Sequence, residues 1–153
     1  MSRQVKKIYF ASPFFNPEQV EREEYLKQAL RDLGFEVFSP KECFHCPPDA
    51  DDKTRQKTFE GNCEELIDCD LVFAVTDGKD MGTIWEAGFA YAINKPIIYF
   101  CETLGDGQFN LMLAQSGNMV YQNRSCLTNP HAQAQIRKCM QGKKVFPYRG
   151  EVE

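Results

Sequence analysis

The segment DMGTIWEAGFAYAINKPIIYF, residues 80–100, carries two carboxylates, Asp80 and Glu86, six positions apart where a loop runs into a helix-like stretch. An ionised carboxylate is favoured near the positive end of a helix dipole, and a positioned carboxylate is a nucleophile. On a sugar it attacks the anomeric carbon through an oxocarbenium-like transition state, which its charge stabilises before the bond closes. A second acid manages the proton of the leaving group, and Asp80, in the loop that delivers the chain to the helix, is placed to face the same cleft. Each acid also has a structural alternative. Thr83-Ile84-Trp85-Glu86 fits a capping box, with Thr83 as the helix cap and Glu86 reaching back to the cap amide. Asp80, beside Asp77 and Lys79, fits a solvated loop.

Other residues bear on the same chemistry. Phe14 and Phe15, in ASPFF, follow the turn where the chain leaves its first strand. Aromatics at that rim stack on a flat ring such as a nucleobase, or fill core. The segment lacks the spaced glycines of a dinucleotide fingerprint and the P-loop of a phosphate cradle. CFHCPP brings Cys43, His45 and Cys46 together, with Cys63 or Cys69 as further ligands, but the spacing matches no regular zinc module, and no metal is expected. A catalytic Cys–His pair is disfavoured because neither His45 nor His131 has an acid placed to orient it.

The elements that must position these residues alternate between strand and helix. KKIYFAS is a short strand ended by Pro13. A helix then starts at an Asn16 cap with Pro17 in its first turn and closes at Gly34. FEVFSP gives a second strand, residues 49–69 a helix with Phe59, Cys63, Leu66 and Ile67 at helical spacing, and DLVFAVT a third strand. A strand that apolar suits a parallel sheet covered on both faces. The helix of the opening segment follows, in which Ala87, Gly88, Ala90 and Ala92 allow close packing; then come strand KPIIYF, strand GNMVYQ and a helix near residues 129–142. Five strands alternating with helices predict a doubly wound α/β sandwich over one domain, residues 1–153, with ligands at the carboxyl ends of the strands.

Composition narrows the partner. The 153 residues carry a net charge of −4 and no long basic run, so a nucleic-acid backbone is not expected and a small molecule is. The first residues form neither a signal peptide nor a membrane span. Seven scattered cysteines fit free thiols in a reducing compartment, and both observations point to the cytoplasm.

Taken as a set, KIYFASPFF, DMGTIWEAGFAYAINKP, FNLM at residues 109–112 and the tail FPYRGEVE resemble nucleoside 2-deoxyribosyltransferases, in order and over most of the chain. The resemblance implies a flavodoxin-like (Rossmann-like) fold and a homodimer or larger oligomer. It also implies exchange of the base of a 2'-deoxynucleoside for a free nucleobase, without a cofactor, in nucleoside salvage. It makes Glu86 the nucleophile that forms a deoxyribosyl ester, Asp80 the residue that handles base protons or holds substrate, and Tyr9 the residue that orients the nucleophile. Ser12, Phe14 and Phe15 of the first motif and Gly82 and Trp85 of the second are implied around the substrate. Asn110 and Met112 of the third join them, with Asn110 reaching a neighbouring subunit's site to hold the sugar 5'-hydroxyl. Glu153 is implied near the same pocket.

Two positions depart from that pattern. Asn62 stands where some family members carry an Asp, and an amide cannot act as a carboxylic acid, which leaves a substrate-binding role. The tail ends in Glu rather than an aromatic. A rival of the same broad fold is a hydrolase of deoxynucleoside monophosphates, which would use Ser12 and Asn110 near the phosphate. A non-enzymatic nucleoside-binding module is the rival from another class, and a metal-linked redox sensor on the Cys43 to Cys46 loop a third.

Overall fold

The computed structural model describes residues 4–153. In chain order its elements are β1 (Lys7–Ala11), α1 (Pro17–Asp32), β2 (Glu36–Phe38), α2 (Pro40–Cys43), α3 (Asp52–Asp68), β3 (Leu71–Val75), α4 (Met81–Ala92), β4 (Ile97–Phe100), α5 (Leu111–Ser116), β5 (Met119–Tyr121) and α6 (Ala132–Met140), with a 3-10 turn at Arg124–Leu127. The five strands pair in parallel in the order β2-β1-β3-β4-β5, so the expected doubly wound α/β architecture is the one observed. Strand order reverses between β1 and β3, and the crevice at such a switch point is where open α/β sheets take ligands.

Side-chain alternation divides the core. In β1, Ile8 and Phe10 face α1 and α6 together with Leu26, Leu30, Phe73 and Ile136, whereas Tyr9 and Ala11 face the other helical layer with Leu66, Val72, Ala87 and Ala90. Helix α1 starts as its sequence predicts, with the Asn16 side chain accepting from the Gln19 N–H at 2.9 Å and Pro17 in the first turn, and it hands over to Gly34 at φ 92°. Among the described residues no helix is long and apolar enough to cross a membrane.

Three expectations are corrected. Helix α4 begins at Met81, not after Thr83: Asp80 is its cap and accepts from the Thr83 N–H at 2.9 Å. The capping-box reading of Glu86 therefore fails, because Glu86 lies in the second turn, beyond reach of the cap amide. Of the apolar positions read along α3 only Leu66 is fully buried, while Phe59 (51%) and Ile67 (57%) stay largely exposed, since a helix lying on one face of a sheet covers only a stripe. In α4, Ala87 and Ala90 pack against the sheet, but Gly88 and Ala92 are exposed.

Buried charge ties down the carboxyl ends of the strands. Arg22 of α1 donates from Nε to Glu102 at 2.8 Å and lies 3.8 Å from Asp77 Oδ1. Asp77 Oδ2 accepts from the Thr103 N–H and hydroxyl, both at 2.8 Å. Arg124 adds paired bonds to Glu21 and to Glu102. The loops that follow β3, β4 and β5 are thus held to α1. A buried pair of this kind costs more to break on one side than it adds in net stability, so its weight falls on position.

Candidate active site

Helices α3 and α4 lie side by side, and each turns one face to the other. Phe59, Asn62, Cys63 and Leu66 recur at the three- and four-residue spacing of a helical face, as do Gly82, Trp85 and Glu86. Between them is a cleft of about 330 Å³ lined by those residues.

Glu86 reaches inward from this cleft to Tyr9, whose hydroxyl donates to Glu86 Oε2. Tyr9 is completely buried on the central strand β1, and burial, followed by the Glu86 charge, pushes its phenol far above the ordinary range. Tyr9 therefore stays a donor at every working pH. Burial raises the Glu86 carboxyl to about 7; the Tyr9 hydrogen bond lowers it and the Asp80 charge raises it further. A carboxyl so poised ionises near neutrality and is aimed by a fixed donor. Burial and the Glu86 charge also raise the Cys63 thiol, so Cys63 lines the cleft as a neutral group.

Asp80 arrives through a loop with two left-handed residues, Gly78 at φ 80° and Lys79 at φ 54°. Its Oδ2 accepts from both the N–H and the hydroxyl of Thr83, each at 2.9 Å, which leaves Oδ1 outside the cap. Gly82 sits tightly against it, since a Cβ there would fall 3.3 Å from Asp80 Oδ2. Asp80 is close enough for its charge to act on Glu86.

The candidates read from the sequence separate into three places. Tyr9, Asn62, Gly82, Trp85 and Glu86 converge on the cleft between α3 and α4, with Asp80 at the head of α4. Ser12, Phe14 and Phe15 lie beyond the end of β1 and do not line that cleft: the Ser12 hydroxyl donates to Pro13 O at 3.1 Å, and the two Phe rings are 5.1 Å apart with Phe15 74% exposed. Asn110 and Met112 line a different cavity of about 420 Å³ at the ends of β3 and β4, with Thr76, Ile84, Phe109 and Glu153. Asn110 caps α5, accepting from the Met112 and Leu113 N–H groups at 3.0 and 3.3 Å. Glu153 reaches the second cavity because its segment pairs in parallel with Phe109, with Glu153 N to Phe109 O at 3.1 Å. Among the described residues no three His, Cys, Asp or Glu side chains group as a metal site, and Cys43 and Cys46 are exposed.

Sequence reasoning assigned neither Phe59 nor Cys63 to the site. Their spacing from Asn62 and Leu66 was visible, but helical spacing alone does not tell a core-facing stripe from a cleft-facing one.

The comparisons with known proteins agree with this architecture. A family model described as nucleoside 2-deoxyribosyltransferase matches residues 8–129. The solved structure of a 2-deoxyribosyltransferase from the psychrotolerant bacterium Bacillus psychrosaccharolyticus is 32% identical, with a TM-score of 0.79, over 94% of this chain and 99% of that one. A conserved protein from Enterococcus faecalis V583 (22% identity, TM-score 0.58, 97% and 91% coverage) shares the fold. A CMP N-glycosidase from Clostridium botulinum (21%, 0.56, 80% and 96%) does so as well. No curated protein sequence is similar enough to this chain to count as a match.

Proposed function

The chain belongs to the nucleoside 2-deoxyribosyltransferase family, and from that premise we propose that it exchanges the base of a 2'-deoxyribonucleoside for another nucleobase at the Glu86 carboxylate. The observation that most supports this reading is the buried Tyr9 hydroxyl bonded to Glu86 at the floor of an open cleft. Tyr9 holds one carboxylate oxygen, and the other is left to attack C1'. The C1'–N bond breaks as the C1'–O bond forms, and the departing base takes its proton with the help of Asp80. A second base then attacks C1' of the ester, loses a proton to the same acid, and returns Glu86 as carboxylate. Two displacements at one carbon retain configuration and give ping-pong kinetics.

Asn62, Gly82 and Trp85 would contact the substrate within the cleft. Asn110 and Met112 line a separate cavity, which fits a homodimer or larger oligomer in which Asn110 serves a neighbouring subunit's cleft. Ser12, Phe14 and Phe15, at the switch-point rim, would close on bound substrate. None of the described residues lining the Glu86 cleft is basic, which favours a free nucleoside over its monophosphate. The reaction is a salvage step of the cytoplasm and needs no cofactor.

Chromatography of wild type and Glu86→Ala incubated with deoxyinosine, with and without adenine or cytosine, tests the reading. A new deoxynucleoside formed by wild type and lost in the variant is expected. Free base with no new nucleoside would indicate a hydrolase. Nucleoside binding that survives Glu86→Gln, with no turnover by wild type, would indicate a binding module. An inverted product would rule out the covalent ester.

A further inference from the structure

Phe59 is a large apolar ring that the fold leaves 51% exposed, at the mouth of the cleft that ends on Glu86. Its ring centroid lies 5.5 Å from that of Trp85, itself 49% exposed, and Trp85 stacks at 5.4 Å and 19° on Phe89. Aromatic surface thus comes from both helices, Phe59 from α3 and Trp85 from α4. Below it the polar groups are few: the Cys63 thiol, the Glu86 carboxyl and the Asn62 side chain. The Asn62 Oδ1 atom is buried with no hydrogen-bond partner, a costly state that a ligand donor would relieve.

We propose that Phe59 is a nucleobase-binding residue, forming with Trp85 the aromatic wall for the base while Asn62 takes an N–H or amino group on the base edge. A flat heteroaromatic ring suits the cleft on three counts: one face can stack on either ring while its rim meets the other, the two rings being inclined at 57°, its edge supplies the missing donor, and its size suits a space of about 330 Å³. An aliphatic ligand would leave the aromatic faces unused. The base that leaves C1' and the base that replaces it would use the same wall. Its kinetic consequence rests on the base-exchange reading, whereas its binding consequence rests on the cleft alone.

The chain has a single tryptophan, Trp85, so its fluorescence reports directly on this wall. Adenine is titrated into wild type, Phe59→Ala and Phe59→Tyr, and each protein is also run on gel filtration. Quenching of Trp85 by adenine is expected in wild type, with the dissociation constant raised about tenfold in Phe59→Ala and restored by Phe59→Tyr, because stacking on one ring is worth about that much. In base exchange, the KM for the acceptor base should rise in parallel. Equal quenching curves in all three proteins would overturn the proposal. So would a loss of quenching accompanied by a change in elution volume, which would make Phe59 an interface residue. Normal quenching without base exchange would leave the stacking wall standing and overturn the transferase reading instead.

Discussion

Replacing Glu86 by Gln should make the protein more stable above neutral pH. Burial holds this carboxyl at about 7 against an ordinary 4.5, with the Tyr9 hydrogen bond opposing burial and the Asp80 charge adding to it. Between those two values the folded chain keeps a proton that the unfolded chain has released. Stability therefore falls as pH rises through the interval and levels off above about 7. Each pH unit is worth about 1.4 kcal/mol, so the interval from 4.5 to about 7 amounts to about 3 kcal/mol, an upper bound for a cleft open to water. Glutamine has the same shape and no charge to desolvate, and its amide can still meet the Tyr9 hydroxyl. Urea unfolding followed by Trp85 fluorescence, for wild type and variant at about pH 5 and about pH 8.5, isolates the effect, because everything that does not titrate cancels between the two pH values. The gain from Glu86→Gln should grow by about 2 kcal/mol from the lower pH to the higher. A gain that is the same at both, or that shrinks, refutes the argument that burial of this carboxylate costs stability.

Further perturbations test the surroundings. Tyr9→Phe removes the one bond that lowers the Glu86 pKa, so the ascending limb of kcat/KM against pH should move to higher pH; a limb that stays put would show that the hydroxyl does not hold the charged form. Asp80→Ala should lower kcat, because it removes the acid that handles the base proton, and should move the limb of the remaining activity the opposite way, because it also removes a charge that raises that pKa. The same change removes a helix cap and should cost about 1 kcal/mol, seen as a fall in Tm of about 2–4 °C. Gly61→Ala, inside α3, places a Cβ 2.3 Å from the Phe44 ring. It should cost about 1–3 kcal/mol from overpacking against a helix-propensity gain of about 1 kcal/mol, and a rise in the urea midpoint would show that Phe44 does not sit there.

Much of the fold was legible because its signals are local. Asn16 and Pro17 before a helix, Gly34 after it, and the unbroken apolar run of β3 each act within a few residues, and the structure follows them. The start of α4 was misread for a reason that is also local. Thr83 and Asp80 are both good caps, and the competition went to Asp80, whose carboxylate takes two bonds from Thr83. The short helices α2 and α5, of 4 and 6 residues, were not anticipated, because segments that short carry too few residues for a period to show.

By itself the sequence determined the layered α/β order, the two acids six positions apart in the α4 segment and, through its resemblance, the family; residue types and spacings along one chain were enough for each. The resemblance already paired Tyr9 with Glu86, but only the tertiary structure decided why they meet and which other residues share their cleft. Tyr9 and Glu86 are 77 positions apart and meet because β1 lies beneath α4. Phe59 and Trp85 meet because α3 and α4 pack side by side. Asn110 was carried to a second cavity by the path of the chain after β4. Helical period tells which residues share a face, but whether that face meets core, cleft or solvent depends on neighbours supplied from elsewhere in the chain. The pKa of Glu86 follows the same rule, since burial and a phenol from strand β1, rather than the neighbouring residues of its own helix, set most of it.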